Sequence, residues 1–188
     1  MKASAGKPPG HLHPSASWRL PLFELPGARE TATPGMEKWD SDSSGRFYKK
    51  RWMYNGTGAA APVGTVVRVN HDGDEETNPR AATTASPPAN VYVETAVAWG
   101  PATGSGSIPD ATWGWWVVQG YVEALCEGTT DVDKDDYIKV VTATSEGAFI
   151  EDGTARTINS VGIACAAQAP AAEVLTLVYL FGERAINA

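Results

Sequence analysis

Side chains able to coordinate a metal, attack a substrate or move a proton are sparse in this chain of 188 residues. Of three histidines, His11 and His13 form an H-x-H pair that could chelate weakly, but no further ligand lies close in sequence, so they read as loop histidines. The acidic run from Asp131 to Asp136 resembles the start of a calcium loop. A helix-loop-helix calcium site wants glycine at its sixth position and glutamate at its twelfth, and those positions are Asp136 and Thr142. The run therefore reads as a charged turn. The same reading holds for His71-Asp72-Gly73-Asp74-Glu75-Glu76, where Asp-Gly supplies a tight turn and the acids stay in water. Gly104-Ser105-Gly106-Ser107 lacks the lysine and the following helix of a phosphate loop.

Nucleophiles fare no better. Cys126 and Cys165 lie in apolar, strand-like runs with no second thiol or histidine at ligand spacing, which predicts two reduced thiols. There is no G-x-S-x-G elbow, no H-E-x-x-H pair and no cysteine-rich zinc pattern. The carboxylates sit in predicted turns, away from the apolar pockets that raise a general acid's pKa. These residues point away from an enzyme, with no catalytic residue, no metal and no cofactor. Lys49, Lys50 and Arg51, flanked by Tyr48 and Trp52, have the make-up of a single-strand nucleic-acid platform. The acidic remainder of the chain would repel phosphates, and cations also protect a strand edge, so no nucleic-acid partner is expected. Asn55-Gly56-Thr57 matches a glycosylation sequon but reads as a turn.

The elements around these residues are strands. The longest stretch is Trp113 to Cys126, WGWWVVQGYVEALC, which carries three of seven tryptophans. At a two-residue period Trp113, Trp115, Val117, Gln119, Tyr121, Glu123 and Leu125 share one face, and Gly114, Trp116, Val118, Gly120, Val122, Ala124 and Cys126 the other. Trp115 and Trp116 thus point to opposite sides, and one of them is expected to face a second subunit. Trp113, Trp115, Trp116 and Tyr121 are the interface candidates. Further strands are predicted at 46–54, 63–70, 91–99, 137–141, 148–150, 158–166 and 173–181, with a low-complexity connection at 77–90. Nineteen glycines and 13 prolines fit many turns, and no helix longer than a turn or two is indicated. The fold class is all-β, a small barrel or sandwich.

Residues 1–45 have no periodicity, and prolines at 8, 9, 14, 21, 26 and 34 exclude a long helix. They read as an extended docking arm ahead of a β domain at 46–188. Trp18, Leu20, Leu22, Phe23 and Trp39 are its candidate partner-binding anchors, since a purely solvated leader needs fewer apolar side chains. Charge divides along the chain. Residues 1–52 hold nine Lys or Arg against five Asp or Glu, and residues 53–188 six against seventeen, which together give the net charge of −7. A basic leader suits an acidic surface on a neighbour. The amino terminus has no apolar core of a signal peptide and no run approaches the ~18 apolar residues of a membrane span, so a cytosolic product with no membrane partner is expected.

From Trp116 to Leu180 the order of motifs resembles bacteriophage capsid decoration, or cement, proteins. The residues that carry the likeness are Val122-Glu123-Ala124-Leu125, Gly128-Thr129-Thr130, Asp136-Tyr137-Ile138, Gly147 and Ser160-Val161-Gly162-Ile163-Ala164, followed by a closing strand. The pattern departs at Asp135, where those proteins have glycine. The resemblance implies a β-tulip-like domain and a structural virion protein, made in the host cytoplasm and bound to the outer surface of an icosahedral capsid. Its implied partners are the major capsid protein and further copies of itself, a trimer favoured over a dimer. On this reading residues 1–52 bridge to a neighbouring subunit or to the capsid protein. The competing expectation is a carbohydrate-binding β-sandwich that uses exposed tryptophans such as Trp99 or Trp113.

Overall fold

The two opposed faces of the tryptophan-rich stretch are built into a sheet that passes between two cores. The computed structural model describes residues 32–70, 80–82, 92–100, 106–127, 131–140, 147–168, 174–182 and 185–186. Every regular element among them is a strand: β1 (Glu37–Ser41), β2 (Phe47–Asn55), β3 (Val66–Asn70), β4 (Arg80–Ala82), β5 (Tyr92–Gly100), β6 (Trp113–Cys126), β7 (Tyr137–Val140), β8 (Phe149–Gly153), β9 (Gly162–Ala164), β10 (Val174–Leu180) and β11 (Ala185–Ile186). The all-β expectation holds.

The pairings β2–β4–β3–β5–β6 return from β6 to β2 and close a five-stranded barrel. Only β2–β4 is parallel in that ring. A second circuit runs β6–β10–β9–β7–β8 and meets β6 again through one parallel pair, Cys126 with Phe149. β6 belongs to both. Its register with β2 spans Trp113 to Gly120, and its register with β10 spans Gly120 to Cys126. Such double duty requires a long strand, which fourteen residues supply.

Neighbouring residues of the shared wall are divided between the cores. Val67, Ala96, Ala98, Trp116 and Val118 join Met53 and Ile108 in one cluster. Val66, Val97 and Val117 join Val122, Ala124, Cys126, Ile138, Phe149, Val178 and Leu180 in the other. Strands buried on both faces have no polar side to alternate with, hence the continuous apolar runs in β5 and in the first half of β6. Beyond Gly120 the burial of β6 alternates, with Tyr121 and Glu123 in solvent.

Gly120 marks the change of partner. The register with β2 slips between Lys49 and Lys50, so Val118 is the extra residue of a bulge. Gly120 itself has φ of 91°, and a Cβ there would lie 2.4 Å from the carbonyl oxygen of Phe47. Only glycine permits β2 to approach so closely. Asp135, which stands where the decoration-protein pattern has glycine, has φ of 75°, the left-handed conformation that glycine adopts most easily and Asp tolerates.

Three strands differ from the sequence reading. β1 lies inside the stretch expected as an arm and pairs with β2 from Glu37 to Ser41, so the sheet begins before residue 46. β4 lies in the expected low-complexity connection, and β11 adds two residues to β5. Glu151-Asp152-Gly153, whose acids and glycine read as a turn in the sequence, is instead the end of β8.

Candidate interaction surface

β1 and β2 form a hairpin whose five-residue turn is held by one carboxylate. Asp42 accepts hydrogen bonds from the backbone N–H groups of Ser44 at 2.8 Å and Arg46 at 3.0 Å, and from Arg46 Nε at 2.6 Å. The N–H of Arg46 and the guanidinium hold the Asp42 carboxyl below the usual carboxylate range. Gly45 completes the turn at φ of 75°. In the hairpin register Ser41 faces Phe47 and Trp39 faces Lys49, which puts Trp39 and Phe47 on the same side. Both are open to solvent, Trp39 at 59% and Phe47 at 66%.

Next to the hairpin, Tyr121 of β6 stands directly opposite Tyr179 of β10. Their rings meet edge to face at 4.9 Å. Trp39, Arg46, Phe47, Tyr121 and Tyr179, with the backbones of Gly45 and Gly120, line an open groove of about 580 Å³. Gly120 thus brings the hairpin within reach of the tyrosine pair. This groove is the largest gathering of exposed aromatic side chains among the described residues.

It unites one residue from each set singled out in the sequence, Trp39 from the arm anchors and Tyr121 from the interface candidates. Phe47 and Tyr179 were missed, and only the strand register could have found them. Trp115 and Trp116 do not offer a ring to a second subunit as expected. Trp116 is fully buried in the barrel and donates its Nε1–H to the carbonyl of Met53 at 3.3 Å. Trp115, 3% exposed, is enclosed on the other side by Trp52, with ring centroids 5.2 Å apart, and by Lys38 and Lys50. Trp113 is half-buried, edge-on to Tyr54 at 5.6 Å. Trp99, half-buried, packs its ring 4.5 Å from Tyr48. Trp18, Leu20, Leu22 and Phe23 lie outside the described residues, as do His11, His13 and the acidic turn 71–76.

The basic run of β2 is neutralised by acids. Lys49 pairs with Glu37; Arg51 reaches Glu37 at 2.6 Å and Glu94 at 2.9 Å; Lys50 reaches Asp40 at 2.9 Å. Lys50 is 6% exposed, and its ammonium lies over three rings, Trp115 at 5.4 Å, Trp99 at 5.6 Å and Tyr48 at 5.8 Å. Burial would raise the carboxyl of Glu37, but hydrogen bonds and charge from Lys49 and Arg51 outweigh it and hold Glu37 low. Asp40 is likewise held low against burial by Lys50, the N–H of Ser41 and Lys38. Burial and the nearby Asp40 and Asp42 push the Tyr48 hydroxyl up to about 12. Cations so paired are poor receptors for phosphate.

The remaining chemical candidates are structural. Asp152 was expected in a wet turn, yet its side chain is 3% exposed and accepts from Thr157 Oγ1 at 2.5 Å, Ser160 Oγ at 2.6 Å and Lys139 Nζ at 3.0 Å. It ties the loop after β8 back to β7 and β8. Asn55 of the sequon is fully buried, donates Nδ2 to the carbonyls of Ala59 and Ile108 at 2.9 Å, and accepts from Thr57. Both cysteines are free thiols, and burial pushes Cys126 up to about 11. Among the described residues no group of three or more His, Cys, Asp or Glu is placed to hold a metal ion, and no helix is long and apolar enough to cross a membrane.

No family model, curated protein or solved structure matches the chain.

Proposed function

We propose that the protein is a non-catalytic structural component that binds the outer surface of an assembled icosahedral phage shell and joins adjacent capsomers, as decoration proteins do. The observation that carries this reading is the exposed groove of Trp39, Phe47, Tyr121 and Tyr179 on an otherwise well-packed β body. Apolar rings held in water by rigid strands are what a protein–protein contact uses. Burying such area at ~25 cal/mol per Å² in many copies would stabilise a shell without any reaction. The motif order from Trp116 to Leu180 supports the same reading, and Asp135, which stands where that pattern has glycine, has a positive φ that glycine adopts readily.

The bridging segment is residues 1–31 rather than 1–52, because Glu37–Arg51 is sheet. Those 31 residues hold four Lys or Arg against two Glu, and residues 32–188 hold eleven against twenty. The leading segment is basic and the body acidic. The test is occupancy on assembled shells of the proposed partner, a phage major capsid protein. Deleting residues 1–31 is expected to leave a folded body that decorates shells at least tenfold more weakly; unchanged occupancy overturns the bridging role. Saturable sugar binding by the isolated protein, followed by tryptophan fluorescence, would favour the carbohydrate-binding reading instead.

A further inference from the structure

The groove has a more specific chemistry than a general apolar patch. It is lined by four aromatic side chains from four strands, by Arg46, and by Gly45 and Gly120, where no Cβ projects. Tyr121 and Tyr179 meet edge to face, and the hairpin register sets Trp39 and Phe47 on one face. Shallow grooves of rigid aromatic rings recognise proline-containing extended peptides. Proline rings fit between the aromatic rings, and a chain already restricted by proline loses little entropy on binding.

The protein carries such a peptide. Residues 18–26 read WRLPLFELP, with Pro21 and Pro26 interleaved with Trp18, Leu20, Leu22, Phe23 and Leu25. Five residues, 27–31, separate Pro26 from the first residue of the folded body, a tether of at most ~20 Å at ~3.5 Å per residue.

We propose that the aromatic groove is the receptor for residues 18–26 of a second copy of this chain, so that copies are linked arm to groove. This rests on the reading of residues 1–31 as a bridge and names where the bridge ends. A head-to-tail link of this kind closes into a ring when its rotation permits, which suits the trimer implied by the decoration proteins.

The test uses the full chain with the photo-crosslinking residue p-benzoylphenylalanine in place of Phe47, whose exposure makes it a tolerant position. Light and heavy nitrogen-labelled preparations are mixed and irradiated, and the joined peptides are sequenced by mass spectrometry. The expected result is a cross-link from position 47 to residues 18–26 that contains one light and one heavy partner, and that is lost in Leu22→Ser/Phe23→Ser. The same label at Trp39 provides an independent second position if the first variant does not fold. Cross-links confined to partners of the same label, or none to residues 18–26 from either position, overturn the proposal. Because no shell is present, that failure is distinct from failure to bind shells, which occupancy measures.

Discussion

The buried tryptophans and the exposed aromatics do opposite work, and single substitutions separate them. Trp116 fills the barrel and holds the Met53 carbonyl, so Trp116→Ala is expected to cost ~3–5 kcal/mol in urea unfolding, through the cavity and the orphaned acceptor. Phe47→Ala, at a side chain already in water, is expected to change stability by no more than ~0.5 kcal/mol. Equal losses at the two positions would contradict this division. The sequence already showed that Trp115 and Trp116 face opposite ways. It did not show that each side has a cover, because most of the covers, Met53 on one side and Lys38, Lys50 and Trp52 on the other, come from far along the chain. Lys50 is the sharpest case. A lysine in a basic run reads as solvated, and only the assembled sheet places it under three rings with Asp40 as its counter-charge.

Strand by strand, legibility followed apolar content. β6 was read to its exact ends because its composition leaves no other choice, and β10 and β5 nearly so. β1, EKWDS, has one apolar residue, and that residue points to solvent; it is a strand because its charges match those of β2. A strand fastened in this way depends on pH. Glu37 and Asp40 are both held below the ordinary carboxylate range in the folded state, so their stabilisation is complete above that range and is lost as pH falls through the lowered values. Hydrogen-exchange protection of the Glu37–Ser41 amides, corrected for intrinsic rates, is therefore expected to fall below about pH 4 while that of β6 persists. Loss of protection in β1 and β6 at the same pH would show that β1 is not separately held. β4, three residues in a proline- and threonine-rich stretch, carries no readable signal at all, since its place is set by pairing with β2 and β3.

At the scale of the whole molecule, two circuits of strands share one long strand, and the groove lies where that strand passes from β2 to β10. Trp39 and Tyr121 were each notable in sequence, but their meeting depends on the hairpin register, the β6–β10 register and the close approach at Gly120. Only the hairpin is local, so the fold class was legible and the surface was not. A rigid body with exposed rings on one side and a proline-rich leader suits attachment to a repeating surface, where many weak contacts act together. The most direct measurement is co-sedimentation of the full purified chain with assembled shells of the proposed partner, a phage major capsid protein. Saturable, stoichiometric pelleting with the shells, reduced by Trp39→Ser/Phe47→Ser, is the expected result; pelleting no greater than that of the protein alone would contradict the account.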